Sequence, residues 1–256
     1  QFARFCEAAG HPEWAADERY VSNTSRVRHR EGLVQAISGA TRTRSTAQCD
    51  ALTRECPSLH RIAGNLAMPG FTAPKLAWVR EHEPEVCARV ATVLLPKDWL
   101  RLQLTGTKVC EMSDAAGTLW LDVAKRDWSD ALLAATGLTR AHMPSLIEGP
   151  QVSGQLTAAA ARELGLTAGI PVAGGAGDNA ASAIGIGAVK AGDSFVSLGT
   201  SGVLFSVTDR HRPNVGEAVH AFCHALPGVW HQMAVMLSAA SALTWVTRAT
   251  GHANEG

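Results

Sequence analysis

The sequence predicts an α/β fold that turns into an antiparallel sheet in its last third. Three observations carry this. Between residues 49 and 190, segments with helical spacing alternate with short apolar runs bounded by glycine and proline. "IPVAGGAGDNAASAIG", residues 170–185, reads as a strand, a glycine turn and a helix start. After residue 190, four strand-like segments follow one another before a final helix, which marks a second unit opening on an antiparallel meander.

Taken in order, "FARFCEAAG" has helical spacing and ends on Gly10, a usual residue just past a helix. "HPEWAADERYVSNTSRVRHR" is polar and turn-like, and "EGLVQAISGAT" reads as a second short helix. These first 48 residues hold seven arginines and no lysine. "APKLAWVREHEPEV" is a helix with Pro74 near its start, where proline is tolerated. "VATVLLP" reads as a buried strand, and "KDWLRLQLTG" as an amphipathic helix closed by Gly106. "GTLWLDV" is a strand, "WSDALLAATG" a helix ending at Gly137, and "LTAAAARELGL" another helix. "DSFVSLG", "SGVLFSVT", "EAVHAFCHAL" and "VWHQMAVM" are strands with turns at "GTSG", "RPNVG" and "PG", before the helix "SAASALTWVTRATG". Trp78, Trp99, Trp120 and Trp128 lie among apolar neighbours such as Leu76, Leu100 and Leu121, and read as core.

The 256 residues suffice for one large domain or parts of two. Lys plus Arg equals Asp plus Glu, at 23 each, and no basic block stands out. Neither a nucleic acid nor a membrane surface is therefore expected as partner. The longest apolar runs, such as "VATVLL", are too short to span a bilayer. No charged segment followed by an apolar one opens the sequence, so a cytoplasmic enzyme-like domain is expected. The six cysteines form no CxxC pair and are expected to be reduced. The start at Gln1 and the close at "GHANEG" suggest a fragment with partners missing at both ends.

Two segments are candidates for chemistry. In "SLGTSG", residues 197–202, Gly199 and Gly202 permit close approach of backbone amides, while Thr200 and Ser201 add hydroxyl donors. That suits phosphate oxygens at a tight hairpin. A plain hairpin turn explains the same residues. Asp178 opens "DNAASAIGIGAV" and fits two readings. Its carboxylate caps a helix, or it takes the proton of a substrate hydroxyl that the preceding glycines admit. With one helix and one strand between Asp178 and Ser197, a carboxylate base and a phosphate loop can face one cleft, as phosphoryl transfer to an alcohol requires. His220, His224 and His231 invite a metal reading, yet no HExxH and no acidic or cysteine cluster completes a site. No Walker A loop, GxGxxG fingerprint or GxSxG elbow occurs.

At these residues the chain resembles the FGGY carbohydrate kinases. "GFTAPKLAWVREH", residues 70–82, is similar to the family signature. "LLPKDWLRLQLTG", "MSDAAGTLWLDVAKRDWS", "GGAGDNAASAIGIG", "SLGTSGVLFSV" and "HAFCHALPGVWH" look like its xylulokinase branch. The resemblance covers about residues 49–256 and implies an actin/Hsp70-like (ribonuclease H-like) sugar kinase fold with a cleft between two domains. It implies an incomplete N-terminal domain at 49–175 and the start of the second domain at 176–256. It also implies transfer of the γ-phosphoryl of ATP, with Mg²⁺, to the 5-hydroxyl of D-xylulose, and a homodimer. Asp178 matches the general base, Asn179 a sugar-contacting position, and Gly199, Thr200 and Ser201 the second phosphate loop.

The family's DxGT-type first phosphate loop, whose aspartate helps hold Mg²⁺, has no counterpart here, nor does its Met-His sugar contact. Its glycine-rich adenosine site would follow residue 256. Little or no kinase activity is therefore expected from this chain alone. Residues 1–48 resemble instead a helical stretch of class III CoA-transferases, without any catalytic residue of that family. A CoA-transferase fragment and a non-catalytic remnant are the rival readings.

Overall fold

The computed structural model describes residues 2–8 and 10–250. Gln1 and residues 251–256, on which the fragment reading rests, lie outside them. The chain opens with α1 (Phe2–Ala8), and Gly10 takes the expected left-handed turn at φ 74°. In α2 (Asn23–Arg28), the Ser22 hydroxyl caps the helix by accepting the Ser25 amide.

The next element departs from expectation. α3 (Arg30–Glu55) is one helix of 26 residues, running through the short helix expected at 31–41 and through position 48. Glycine inside a helix costs only about 1 kcal/mol, and packing at the far end offsets it. There Cys49 and Leu52 are buried, and the Gln48 amide donates to Glu81 at 2.8 Å.

α4 (Leu59–Ala63), α5 (Thr72–His82) and α6 (Pro84–Cys87) follow. Residues 90–95, expected as a strand, run without ladder pairing; Val93 donates one bond to the His142 carbonyl. Then come α7 (Pro96–Thr105), β1 (Val109–Glu111), α8 (Met112–Ala116), β2 (Leu121–Asp122) and β3 (Asp127–Trp128). After them lie α9 (Asp130–Ala135), β4 (Ser145–Ile147), β5 (Val152–Gln155), α10 (Ala158–Leu164) and β6 (Pro171–Ala173). Gly106, Gly137 and Gly165 sit at φ 75°, 76° and 67° behind α7, α9 and α10, where an αL residue ends a helix.

α11 (Asp178–Gly185) leads into β7 (Ser194–Leu198), β8 (Gly202–Thr208), β9 (His220–Cys223), β10 (Trp230–Met236) and α12 (Ala240–Thr250). β1 pairs with β4 in parallel, while β2 with β3 and β5 with β6 form antiparallel pairs. The four-stranded sheet is antiparallel but not the expected meander: its order is β7-β8-β10-β9. The long 209–219 connection carries β9 past the neighbouring position. The turn at Gly228 (φ 67°) then folds β10 back between β8 and β9, so Met233 faces both Phe205 and His220.

The main core gathers Trp120, Leu121, Leu132 and Leu133, and takes Phe222 and Cys223 from β9. A second cluster joins Ala183 of α11 to Phe205 and Val207 of β8. Trp120 and Trp128 are core as expected, their indoles bonded to Thr136 Oγ1 and to the Pro144 carbonyl, each at 2.9 Å. Trp78 and Trp99 are not; they are 40 % and 57 % exposed. α7 is inverted. Its buried side chains are Asp98, Arg101 and Thr105, while Trp99 and Leu100 face outward. All six cysteines are free, five of them buried. No helix among the described residues is long and apolar enough to cross a membrane.

β9 ends at Cys223, so His220 and His224 do not share one strand face. Among the described residues, no group of three or more His, Cys, Asp or Glu could hold a metal ion. His224 is fully buried, and His231 lies nearly so, stacked on Phe205 at a centroid distance of 4.2 Å. Burial pushes the His231 pKa down to about 3, helped by His224 beside it. Burial also lowers those of His211, His220 and His224.

The sign follows from linkage. Below the ordinary histidine pKa the unfolded chain binds protons that the folded chain refuses, so stability falls as pH drops through that range toward 3. Each such group contributes a slope of up to about 1.4 kcal/mol per pH unit. Urea midpoints measured between pH 7.5 and 5 are expected to fall steadily, and less steeply in His231→Phe. A parent profile that is flat across this range contradicts the assignment.

Candidate active site

The acid of the glycine turn stands at a helix start. Gly177 is the N-cap residue of α11, and Asp178 is the first residue of the helix, in its acid-favouring first turn. Gly177 has no side chain to cap with, and Asp178 sits one position inside the cap. The carboxylate of the exposed Asp178 accepts through Oδ1 from the Asn179 amide at 2.8 Å and from Asn179 Nδ2 at 3.2 Å. Oδ2 makes no hydrogen bond among the described residues, so one carboxylate oxygen is free for an outside hydroxyl. Asn179 is half-buried and orients the acid through its side-chain amide.

The glycines before Asp178 have structural reasons of their own. Gly175 sits at φ 77°, where an L side chain is strained. Gly174 packs against a neighbouring turn so closely that a Cβ would lie 2.8 Å from the Glu148 carbonyl oxygen. Gly149, across from it, is buried between two backbone segments. A Cβ there would overlap the Ala225 carbonyl oxygen and lie 2.7 Å from that of Gly175. Because both obstacles are backbone, no rotamer change relieves them. Gly149→Ala is expected to cost about 1–3 kcal/mol and to displace the 174–177 turn. A urea midpoint equal to the parent's would contradict this.

Beneath the turn lies a buried polar cluster absent from the sequence-based reading. Asp98 and Glu111 are fully buried, and the Arg101 side chain is 4 % exposed. Arg101 donates to Asp98 Oδ1 at 2.8 Å, to the Val109 carbonyl at 2.6 Å, and to the Gly174 carbonyl. Lys97 Nζ lies within 3.5 Å of oxygens of Asp98, Glu111 and Asp114. Burial works to lower the Lys97 pKa, but the three carboxylates outweigh it and the net direction is upward. Burial raises that of Asp114. The only sequence signal for this cluster was Asp98 and Arg101 three apart on α7, spacing that puts them on one face.

The loop at 199–201 joins β7 to β8. Its Gly199 amide donates to the Ser201 carbonyl at 2.9 Å. The segment entering α12 takes its carbonyls: Ala239 and Ser241 Oγ donate to Thr200 at 2.9 Å, and Ala240 donates to Gly199 at 3.0 Å. The amides of Thr200 and Ser201 carry no hydrogen bond among the described residues. Thr200 and Ser201 are exposed, so both donors face solvent at the tip. Thr200 lines an open cavity of about 960 Å³ with Ser238, Ser241, Thr244 and Trp245, and with Arg30 and Glu31 from α3. Asp178 and Asn179 do not line it.

The sequence model of the FGGY family of carbohydrate kinases, N-terminal domain, matches residues 28–185, and the chain belongs to this family. The match begins within the first 48 residues, so residues 28–48, likened above to a CoA-transferase stretch, fall inside it. The chain is 53 % identical over 211 residues to the xylulose kinase of Escherichia coli (strain K12), covering 82 % of this chain and 43 % of that one. Its fold matches the crystal structure of a xyloylose kinase from Brucella ovis with a TM-score of 0.76 at 55 % identity, over 80 % of this chain and 43 % of that one. A xylulose kinase from Rhodospirillum rubrum gives a TM-score of 0.77 at 27 % identity, over 83 % of this chain and 44 % of that one. The fold is therefore that of the actin/Hsp70-like sugar kinases, and the chain spans less than half the length of these relatives.

Proposed function

We propose that this chain carries the base and the second phosphate loop of an ATP-dependent kinase acting on D-xylulose. The supporting observation is Asp178: a carboxylate with one oxygen unused, on a glycine turn clamped from below, in a chain 53 % identical to a xylulose kinase. Asp178 Oδ2 accepts the proton of the sugar 5-hydroxyl while that oxygen bonds to the γ-phosphorus of ATP. The bond from γ-phosphorus to the bridging oxygen breaks, and ADP leaves. Asn179 fixes the other carboxylate oxygen and presents its amide beside the sugar. The free amides of Thr200 and Ser201, with Gly199 allowing close approach, receive phosphate oxygens.

Mg²⁺ would neutralise phosphate charge. The described residues do not group into a site for it. The boundary between the two kinase domains is proposed near residues 175 and 176, at the glycine turn. The setting is cytoplasmic.

The test is a graft. This chain's residues replace the matching stretch of the Escherichia coli xylulose kinase, and coupled ADP release is measured with D-xylulose, glycerol and gluconate. D-xylulose is expected to support turnover well above the other two, while the chain alone gives little or none. A folded graft that releases ADP equally with no sugar, or prefers glycerol, sinks the proposal.

A further inference from the structure

We infer that Ser113, held by Glu111, is the positioning residue that sets the direction of Asp178, through a hydrogen bond to the Gly177 amide. The inference rests on the reading of Asp178 as base, and it concerns how a nearly side-chain-free turn holds one geometry. Glycine loses more backbone freedom on ordering than any other residue. Residues 174–177 are Gly-Gly-Ala-Gly, so the turn has almost nothing of its own to pack. Its order comes from outside.

Two polar side chains clamp the turn, one at each end. At residue 174, the buried Arg101 of α7 donates to the carbonyl. At residue 177, the amide donates to Ser113 Oγ at 2.9 Å. The polarity of the second clamp is unambiguous. A carboxylate only accepts and a backbone amide only donates. Ser113 Oγ lies 2.8 Å from Glu111 Oε2, so its proton goes to the carboxylate and its lone pair faces Gly177.

Glu111 is itself locked. It is fully buried, and Oε2 also accepts the Ser113 amide at 2.8 Å. Oε1 accepts the Asp114 amide at 2.9 Å and lies 3.4 Å from Lys97 Nζ. A chain of directed bonds thus runs from Lys97 through Glu111 and Ser113 to the peptide immediately before Asp178. That bond fixes the plane of the peptide from which α11 departs, and with it the side on which Asp178 Oδ2 is offered. Ser113 acts through the Gly177 amide.

The experiment uses the unmodified chain and Ser113→Ala, with Ser113→Thr as the hydroxyl-retaining control. Amide hydrogen exchange at Gly177 and the position of the Asp178 side-chain carboxyl carbon-13 resonance are read by NMR, beside thermal melting. Loss of one hydrogen bond of ordinary strength is expected to speed Gly177 exchange about tenfold in Ser113→Ala. The Asp178 resonance is expected to move, that of the distant Asp209 to stay, and Ser113→Thr to restore both readings. A merely structural serine would move neither Asp178 nor Gly177 selectively.

Exchange at Gly177 within twofold of the parent, in a folded Ser113→Ala chain, overturns the inference. So does solvent-like exchange at Gly177 in the unmodified chain, which needs no variant to fold. Because neither reading involves turnover, an inactive graft with a protected Gly177 would defeat the kinase proposal and leave the clamp standing. An active graft with an unprotected Gly177 would do the reverse.

Discussion

Asp178→Ala, made in the graft that carries this chain's residues, is expected to lower D-xylulose-dependent ADP release by about 10²–10⁴-fold, the usual worth of a positioned general base. Stability is expected to change little. Asp178 is exposed, its side-chain hydrogen bonds among the described residues reach only its neighbour Asn179, and it takes no part in the core. The separation of effects is the informative part. A base offers its carboxylate to an incoming hydroxyl and contributes almost nothing to folding, whereas a cap residue does the opposite, costing about 1 kcal/mol when removed. A variant that melts several degrees lower with turnover intact would assign Asp178 to capping. A variant that melts with the parent and loses turnover assigns it to chemistry.

Arg101→Ala is the change expected to damage the fold most. Its guanidinium reaches three segments at once: Asp98 on its own helix, the Val109 carbonyl of β1 and the Gly174 carbonyl of the turn. Removing it leaves Asp98 buried, with Lys97 at 3.3 Å as its remaining cation and Oδ2 already without a partner. Breaking a buried ion pair from one side costs about 3–5 kcal/mol, because the stranded charge has lost its compensation. Urea denaturation is the measurement. The double variant Arg101→Met, Asp98→Leu is expected to recover a large part of the loss, since both charges then leave the interior together. A single variant that loses less than about 1 kcal/mol would mean that Lys97 alone carries Asp98. Recovery of stability in the double variant without recovery of turnover in the graft would show that the cluster serves the turn as well as the fold.

What could be read from the residues divides along physical lines. Glycines with a left-handed role were legible one by one: Gly10, Gly106 and Gly137 each end a segment, and each has the positive φ that only glycine adopts without strain. The four strands after residue 190 were legible from alternation and turn residues. Their order was not, because a ladder partner is chosen by long-range closure, and β10 between β8 and β9 leaves no local mark. The 90–95 run was apolar enough for a strand, but apolar content reports burial rather than pairing. α3 was legible over 31–41, but its run on to Glu55 was not, because the polar stretch after residue 41 shows no helical face until the packing at Cys49 and Leu52 is known.

The candidate site divides the same way. Asp178, Asn179 and the 199–201 loop stood out because an acid, an amide or a hydroxyl in a run of small residues is conspicuous. Lys97, Asp98, Arg101, Glu111 and Ser113 did not. On α7, the charged residues look like a solvated face and Trp99 and Leu100 like the buried one, whereas the structure reverses them.

By itself, then, the sequence determined where α7 and α9 stop and to which family the chain belongs, because those depend on residue type and near neighbours. Only the tertiary structure decided which face of α7 is inside, how the last sheet is ordered, and what holds the glycine turn still. Those outcomes depend on which distant groups compensate one another. A buried charge is tolerated only when its partner arrives, and no local pattern records the arrival of Gly174 and Gly177 over Arg101 and Ser113.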